Sequence, residues 1–136
     1  MKRFHYRRLR ALTVASLMCV GCGSDPVALT LEDVAGAYEA TSFVGGGYDV
    51  LAEGGNLTMT LGVDGSVSGS MFIPATAGGP FSADLAGTFV ISGRNLTFSQ
   101  SADTFVRDVT WTWDDGVLDG SWSGGGQTIT VRLERT

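Results

Sequence analysis

From Gly36 to the C-terminus, apolar and polar residues alternate with a period of two, in short runs broken by glycine-rich turns. This alternation puts apolar side chains on one face of an extended chain. It predicts half-buried β-strands with no long helix among them. Hairpin registers follow from the turn residues. With Val63-Asp64-Gly65 as a three-residue loop and Gly65 in the left-handed region, Leu61 faces Val67, Met59 faces Gly69 and Leu57 faces Met71. With Gly93-Arg94 as a two-residue loop, Ile91 faces Leu96 and Phe89 faces Phe98. With Asp115-Gly116 as another, Trp113 faces Leu118, Trp111 faces Gly120 and Val109 faces Trp122. Each turn, chosen independently, brings apolar residues together on one side, as the register of a one-sided sheet requires. The other face carries Thr58, Thr60, Ser68, Ser70, Thr110, Thr112, Ser121 and Ser123, which suits water.

A first strand near Gly36–Val44 and a last near Thr128–Arg135 bring the number to about eight; the last places Ile129, Val131 and Leu133 on one face. A meander of this kind must cover its apolar face and protect both edges, and closure does both. The predicted fold is all-β: an antiparallel up-and-down meander of about eight strands closed into a small barrel over residues 34–136. A two-sheet sandwich is the alternative, although its crossings need longer connections than most of these. Three segments read apolar-x-Gly-x-aromatic: Val34 to Tyr38, Leu85 to Phe89 and Leu118 to Trp122. A glycine facing inward lets a strand bend, or lets a large ring lie over bare backbone. The small residues Ala40, Ser42, Gly69, Gly87 and Gly120 predict some space beside the first strands. Gly45-Gly46-Gly47 followed by Tyr48-Asp49-Val50-Leu51 predicts either a mobile lid or a packed loop over one mouth. Upstream, Leu29 to Val34 predicts a short helical turn with Thr30 as its cap.

The first residues have a different pattern. Lys2, Arg3, Arg7, Arg8 and Arg10 precede an apolar run from Ala11 to Val20, then Gly21-Cys22-Gly23-Ser24-Asp25. A basic head, a short apolar stretch and small residues at a cleavage point make a secretory signal, and the run is too short to span a bilayer. Cys19-Val20-Gly21-Cys22 resembles the bacterial lipobox. The resemblance implies cleavage before Cys22, acylation of that cysteine and a membrane anchor at the N-terminus. Gly23, rather than Asp, after the cysteine implies an envelope location at the outer membrane. An ordinary cleavable signal with Cys22 as a free thiol is the alternative. The expected organisation is a signal peptide at 1–21, a tether at 22–33 and the barrel at 34–136.

Removing residues 1–21 leaves 115 residues holding four arginines and all fourteen carboxylates, a net charge of −10. Nucleic acid is not an expected partner of so acidic a domain. The single His5 and single Lys2 fall in the signal, Cys19 is removed with it, and Cys22 would carry lipid. Nucleophilic triads and His/Cys metal sites therefore have no side chains to build them, and neither a metal nor a cofactor is expected. Asp114, Asp115 and Asp119 lack calcium-loop spacing and read as a solvated turn. Asn56-Leu57-Thr58 and Asn95-Leu96-Thr97 read as turn residues opening strands. A paired-carboxylate glycosidase is conceivable, but no pair is singled out, and the expectation is that the chain is not an enzyme.

Gly36-Ala37-Tyr38, opening the first strand, resembles the Gly-x-Trp signature of lipocalins, with Tyr38 in the place of Trp. In that superfamily the aromatic ring closes one barrel end against an arginine of the last strand. The resemblance implies that Gly36, Tyr38 and Arg135 form this closure. It also implies a pocket for a small apolar ligand, with Tyr38, Ala40, Met59, Met71, Phe89, Phe98, Trp111, Trp113 and Trp122 as candidate interior contacts. The same rings could fill the barrel instead. The alternative function is then a structural or protein-interaction barrel, of unknown partner, working through the loops near Pro74 to Phe81 and Ser99 to Val106.

Overall fold

The computed structural model describes residues 27–136. Its strands are β1 (Gly36–Gly45), β2 (Tyr48–Asp49), β3 (Asn56–Leu61), β4 (Ser66–Thr76), β5 (Gly79–Asp84), β6 (Gly87–Ser92), β7 (Asn95–Gln100), β8 (Thr110–Asp114), β9 (Val117–Gly124) and β10 (Gln127–Arg135). Two short helical turns, α1 (Leu31–Val34) and α2 (Phe105–Asp108), complete the described chain. Eight strands pair antiparallel in the order β1-β3-β4-β6-β7-β8-β9-β10, and β10 pairs back onto β1 to close a barrel. The two remaining strands are additions: β2 folds against the end of β1, and β5 extends the edge of β4. Closure leaves the ring without a free edge of its own.

Local turn chemistry sets the registers. The β3–β4 hairpin pairs Leu61 with Val67, Met59 with Gly69 and Leu57 with Met71. The β6–β7 hairpin pairs Ile91 with Leu96 and Phe89 with Phe98. At the β8–β9 turn, Asp115 (φ 46°) and Gly116 (φ 83°) both lie in the left-handed region, as a two-residue hairpin loop matched to right-handed strand twist requires. This ladder is shorter than the alternation predicts. It pairs Trp113 with Leu118 and ends at Thr112 and Asp119, although Trp111 still lies against Gly120. The segment from Pro74 to Phe81 is not simply a loop: most of it belongs to the β4–β5 hairpin, where Ile73 pairs with Phe81. Pro80 sits on β5, the outer strand of that hairpin, and proline in sheets is largely confined to such edge strands.

Strand β1 departs from simple alternation. Its register against β10 slips between Ala40 and Ser42, so Thr41 and Ser42 both face outward and Phe43 turns in. The slip is a β-bulge, which shifts the parity of the rest of the strand. Ser42 therefore provides no interior space, and Phe43 fills the place instead, 1 % exposed.

The core is continuous, running from Val34 and Tyr38 through Met59, Leu96, Trp111 and Leu118 to Phe43 and Val50. The space expected beside the inward glycines is occupied. A Cβ on Gly120 would sit 2.6 Å from Cε3 of Trp111, so the indole lies on bare backbone. A Cβ on Gly69 or Gly87 would meet the carbonyl oxygen of Thr58 or Ser99 at 2.1 Å, so these glycines serve close strand approach rather than a cavity.

Candidate functional site

The barrel has two differently built ends. At one, the Thr30 hydroxyl accepts from the Asp33 amide, and the Asp33 carboxylate accepts from the Thr30 amide at 2.8 Å, forming a capping box that holds α1. Hydrogen bonds to that carboxylate, first from the Thr30 hydroxyl and then from its amide, hold the Asp33 carboxyl below the ordinary carboxylate range. Helix α1 delivers Val34 into the core and places its carbonyl 2.6 Å from the Tyr38 hydroxyl, which donates to it. The same hydroxyl accepts from Nε1 of Trp113 at 3.0 Å and from Nη2 of Arg135 at 3.0 Å. Nη2 of Arg135 also donates to the Asp33 carbonyl. The guanidinium carbon lies 5.6 Å from the centre of the Tyr38 ring and 5.7 Å from that of Trp113. The stem of Arg135 crosses Gly36, where a Cβ would approach it to 3.2 Å. Gly36, Tyr38, Trp113 and Arg135 thus form a satisfied plug. A charged group crosses the ends of two aromatic rings, and each buried polar atom of the cluster has a partner.

The interior candidates are tightly packed. Ala40, Met59, Met71, Phe89, Phe98, Trp111 and Trp113 are all buried. Phe98 lies between Phe89, at 6.1 Å, and Trp111, at 6.2 Å and nearly edge-on. Trp111 is further fixed by its Nε1, which donates to the Val106 carbonyl at 3.1 Å. Rings in such contact fill a barrel rather than line a chamber. Trp122 shares the inward parity and packs against the core, but is only partly buried. It lies near the end of β9, and its ring folds back over Gly124, where a Cβ would meet it at 2.5 Å. Cys22 lies outside the described residues.

At the opposite end the barrel is closed by different residues. The start of the Gly45-to-Leu51 segment, through Asp49, forms the β1–β2 hairpin rather than a loose lid, with Gly45 paired to Tyr48. Beyond it the Val50 amide donates to the Phe43 carbonyl at 2.9 Å, and the Val50 side chain is 2 % exposed, sealing the core. Phe105 of α2 packs on Phe43, with ring centres 5.5 Å apart. Outside this seal lies a cleft of about 440 Å³ walled by Phe43, Tyr48, Val50, Ile73, Ala75 and Ile129, with Gly45, Gly46, Thr76, Ala77 and Gln127 at its margin. Its walls come from β1, β2, β4 and β10, so the extra length of β4 beyond the barrel and the β1–β2 hairpin together create it. No charged side chain lines it. None of the interior candidates reaches it, and alternation gave no sign of it, since its residues are scattered over the chain and meet only through barrel closure.

Asp114, Asp115 and Asp119 do not converge. Asp114 pairs with Arg94, Asp119 pairs with Arg132 at 3.1 Å, and Asp115 occupies the turn. Among the described residues no three His, Cys, Asp or Glu side chains are placed to share a metal ion. No protein-family model, curated protein or solved structure matches the chain. The fold and the two ends of the barrel therefore carry the functional argument. The class they define is a small closed β-barrel, sealed at one end and carrying an apolar cleft at the other.

Proposed function

We propose that this chain is a lipid-anchored envelope protein whose lipocalin-like barrel binds a small apolar ligand at its rim, outside a solid core. The observation that carries the reading is the cleft bounded by Phe43, Tyr48, Ile73 and Ile129. Its volume of about 440 Å³ falls in the range of small-molecule sites, its walls are mostly apolar, and Tyr48 and Gln127 provide a few polar groups at the margin. The lipocalin-like part of the reading is supported by the up-and-down ring together with the Gly36–Tyr38–Arg135 plug. The anchor is supported by the basic-apolar-Cys22 sequence pattern, with the outer membrane as the proposed location. The proposed role is binding without catalysis, since after residue 22 the chain has no histidine, lysine or cysteine.

The filled core favours a second reading, a structural or protein-interaction barrel without a small ligand. Titration with the uncharged fluorescent probe N-phenyl-1-naphthylamine separates the two. The whole ring and its core lie within residues 27–136, so the chain from residue 23 onward is suited to the experiment. The ligand reading expects saturable one-to-one enhancement that is lost in Ile73→Asp and kept in Val90→Asp, Val90 being exposed on the outer wall. Unsaturable enhancement, or equal binding by both variants, would favour the solid interaction barrel.

A further inference from the structure

Resting on the rim-cleft reading, we infer that the cleft takes an amphiphile with an uncharged head and excludes the corresponding carboxylate. The apolar walls suit an alkyl or ring body; the polar end is decided at the mouth. A fatty acid carboxylate held there would need a cation or a set of donors, because moving an ionised carboxylate out of water without a partner is costly. None of the residues lining the cleft is charged. The only cationic side chains among the described residues are four arginines, each engaged elsewhere. Arg94 pairs with Asp114, and Arg107 with Asp103 and Asp108. Arg132 pairs with Asp119 and Glu134, and Arg135 closes the far end of the barrel on Tyr38.

The field of the whole domain acts in the same direction. Residues 27–136 hold four arginines against thirteen carboxylates, a net charge of −9. An approaching anion meets that excess within a Debye length of roughly 8 Å at physiological salt. The margin itself offers neutral groups: the Tyr48 phenol and the Gln127 amide. These groups can exchange hydrogen bonds with a hydroxyl or carbonyl head. They provide no compensating charge for an anion, so the described chemistry fits an alcohol-, ester- or amide-headed ligand.

The test is competition against bound N-phenyl-1-naphthylamine at pH 8, using decanol and decanoate, which share a chain length and differ in the charge of the head. Decanol should displace the probe, and decanoate should be weaker by about tenfold or more, corresponding to roughly 1.4 kcal/mol. Gln127→Lys, at an exposed margin position, should narrow the gap by raising decanoate affinity relative to that of decanol. Raising the salt concentration should narrow it further in the unsubstituted protein. If decanoate competes as well as decanol, the exclusion of anions is overturned while ligand binding at the rim stands. If the probe itself does not bind saturably, the rim-cleft reading fails and this inference fails with it.

Discussion

The indole of Trp113 donates a 3.0 Å hydrogen bond to the phenol oxygen of Tyr38, joining β8 to β1 across 75 residues of sequence and across the inside of the barrel. Both side chains are at least nine-tenths buried, so the Tyr38 oxygen is the means by which the indole N–H is satisfied away from water. Tyr38→Phe keeps the ring and removes that oxygen. It leaves the Trp113 N–H and the Val34 carbonyl without this partner, and the expected loss of stability is about 1–3 kcal/mol. Urea denaturation with an unchanged slope would measure it. A change within experimental error would mean that the network is dispensable.

Arg135 contributes differently, through its position over two rings. Arg135→Met retains much of the apolar stem that covers Gly36 and removes the cation from Tyr38 and Trp113. The expected loss is about 0.5–2 kcal/mol. If the two substitutions act on one network, their effects should be less than additive, and a double-mutant cycle with Tyr38→Phe would read the coupling.

The β1 bulge gives a prediction that opposes simple alternation. Counting by twos from Tyr38 puts Ser42 inside and Phe43 outside, whereas the slip against β10 reverses them. Phe43→Ala should cost about 3–5 kcal/mol, and Ser42→Ala should be close to neutral. The opposite ranking in thermal or urea unfolding would place β1 in the unbulged register.

These cases show how much was legible in the sequence. The β3–β4 and β6–β7 registers were legible because loop length and glycine position are local and fix how the two flanking strands pair. The Tyr38–Arg135 approach was legible through the resemblance of Gly36-Ala37-Tyr38 to the lipocalin signature, and the two residues pair across β1 and β10. The bulge was not, since nothing near Thr41 marks it and only the pairing with β10 requires it. Trp122 had the right parity, but its place near the end of β9 left its ring only partly buried against the core. The inward glycines looked like vacant space, yet Trp111 covers Gly120, and Gly69 and Gly87 admit neighbouring backbone. The cleft was the least legible feature, because its walls come from four strands far apart in sequence.

The Gly120–Trp111 packing can be tested from both sides. Gly120→Ala places a methyl 2.6 Å from the indole, and the expected destabilisation is about 1–3 kcal/mol from overpacking. Trp111→Phe leaves a smaller ring there. The loss on adding Gly120→Ala should therefore be smaller in the Trp111→Phe background than in the parent. An equal loss in both would show that the cost of the alanine does not come from the Trp111 ring.

Acid should loosen the α1 end through Asp33. Its folded-state carboxyl is held below the ordinary value of 3.8, first by the Thr30 hydroxyl and then by the Thr30 amide. A carboxyl lowered in the folded state adds stability that is complete above its unfolded value and lost as pH falls through the folded one. The contribution should thus be full at neutral pH and fade below about pH 4. Asp33 is on the surface, so the effect should be local. Carbon-detected NMR titration should find the Asp33 carboxyl titrating below that of an unstructured aspartate. Thr30→Ala should return it toward the ordinary range, and an unchanged titration in that variant would remove Thr30 as the cause.

Finally, the fold predicts which end of the barrel faces a membrane if Cys22 carries lipid. The described chain enters through α1, beside Tyr38 and Arg135, and β1 runs from there to the rim cleft. Ten extended residues cover about 33 Å along the strand, or roughly 25 Å along the axis of a barrel tilted by about 40°. The eight residue steps from Cys22 to Thr30 reach at most about 28 Å when fully extended. Only a chain drawn out straight along the barrel wall could bring the cleft to the lipid surface, so the cleft should face the aqueous side. Fluorescent labels at Ala77→Cys, beside the cleft, and Asp115→Cys, at the α1 end, would test this on lipidated protein in vesicles. Headgroup-bound quenchers should dim the label at 115 more than the label at 77. The reverse order would place the cleft against the bilayer and imply that its ligand enters from the membrane itself.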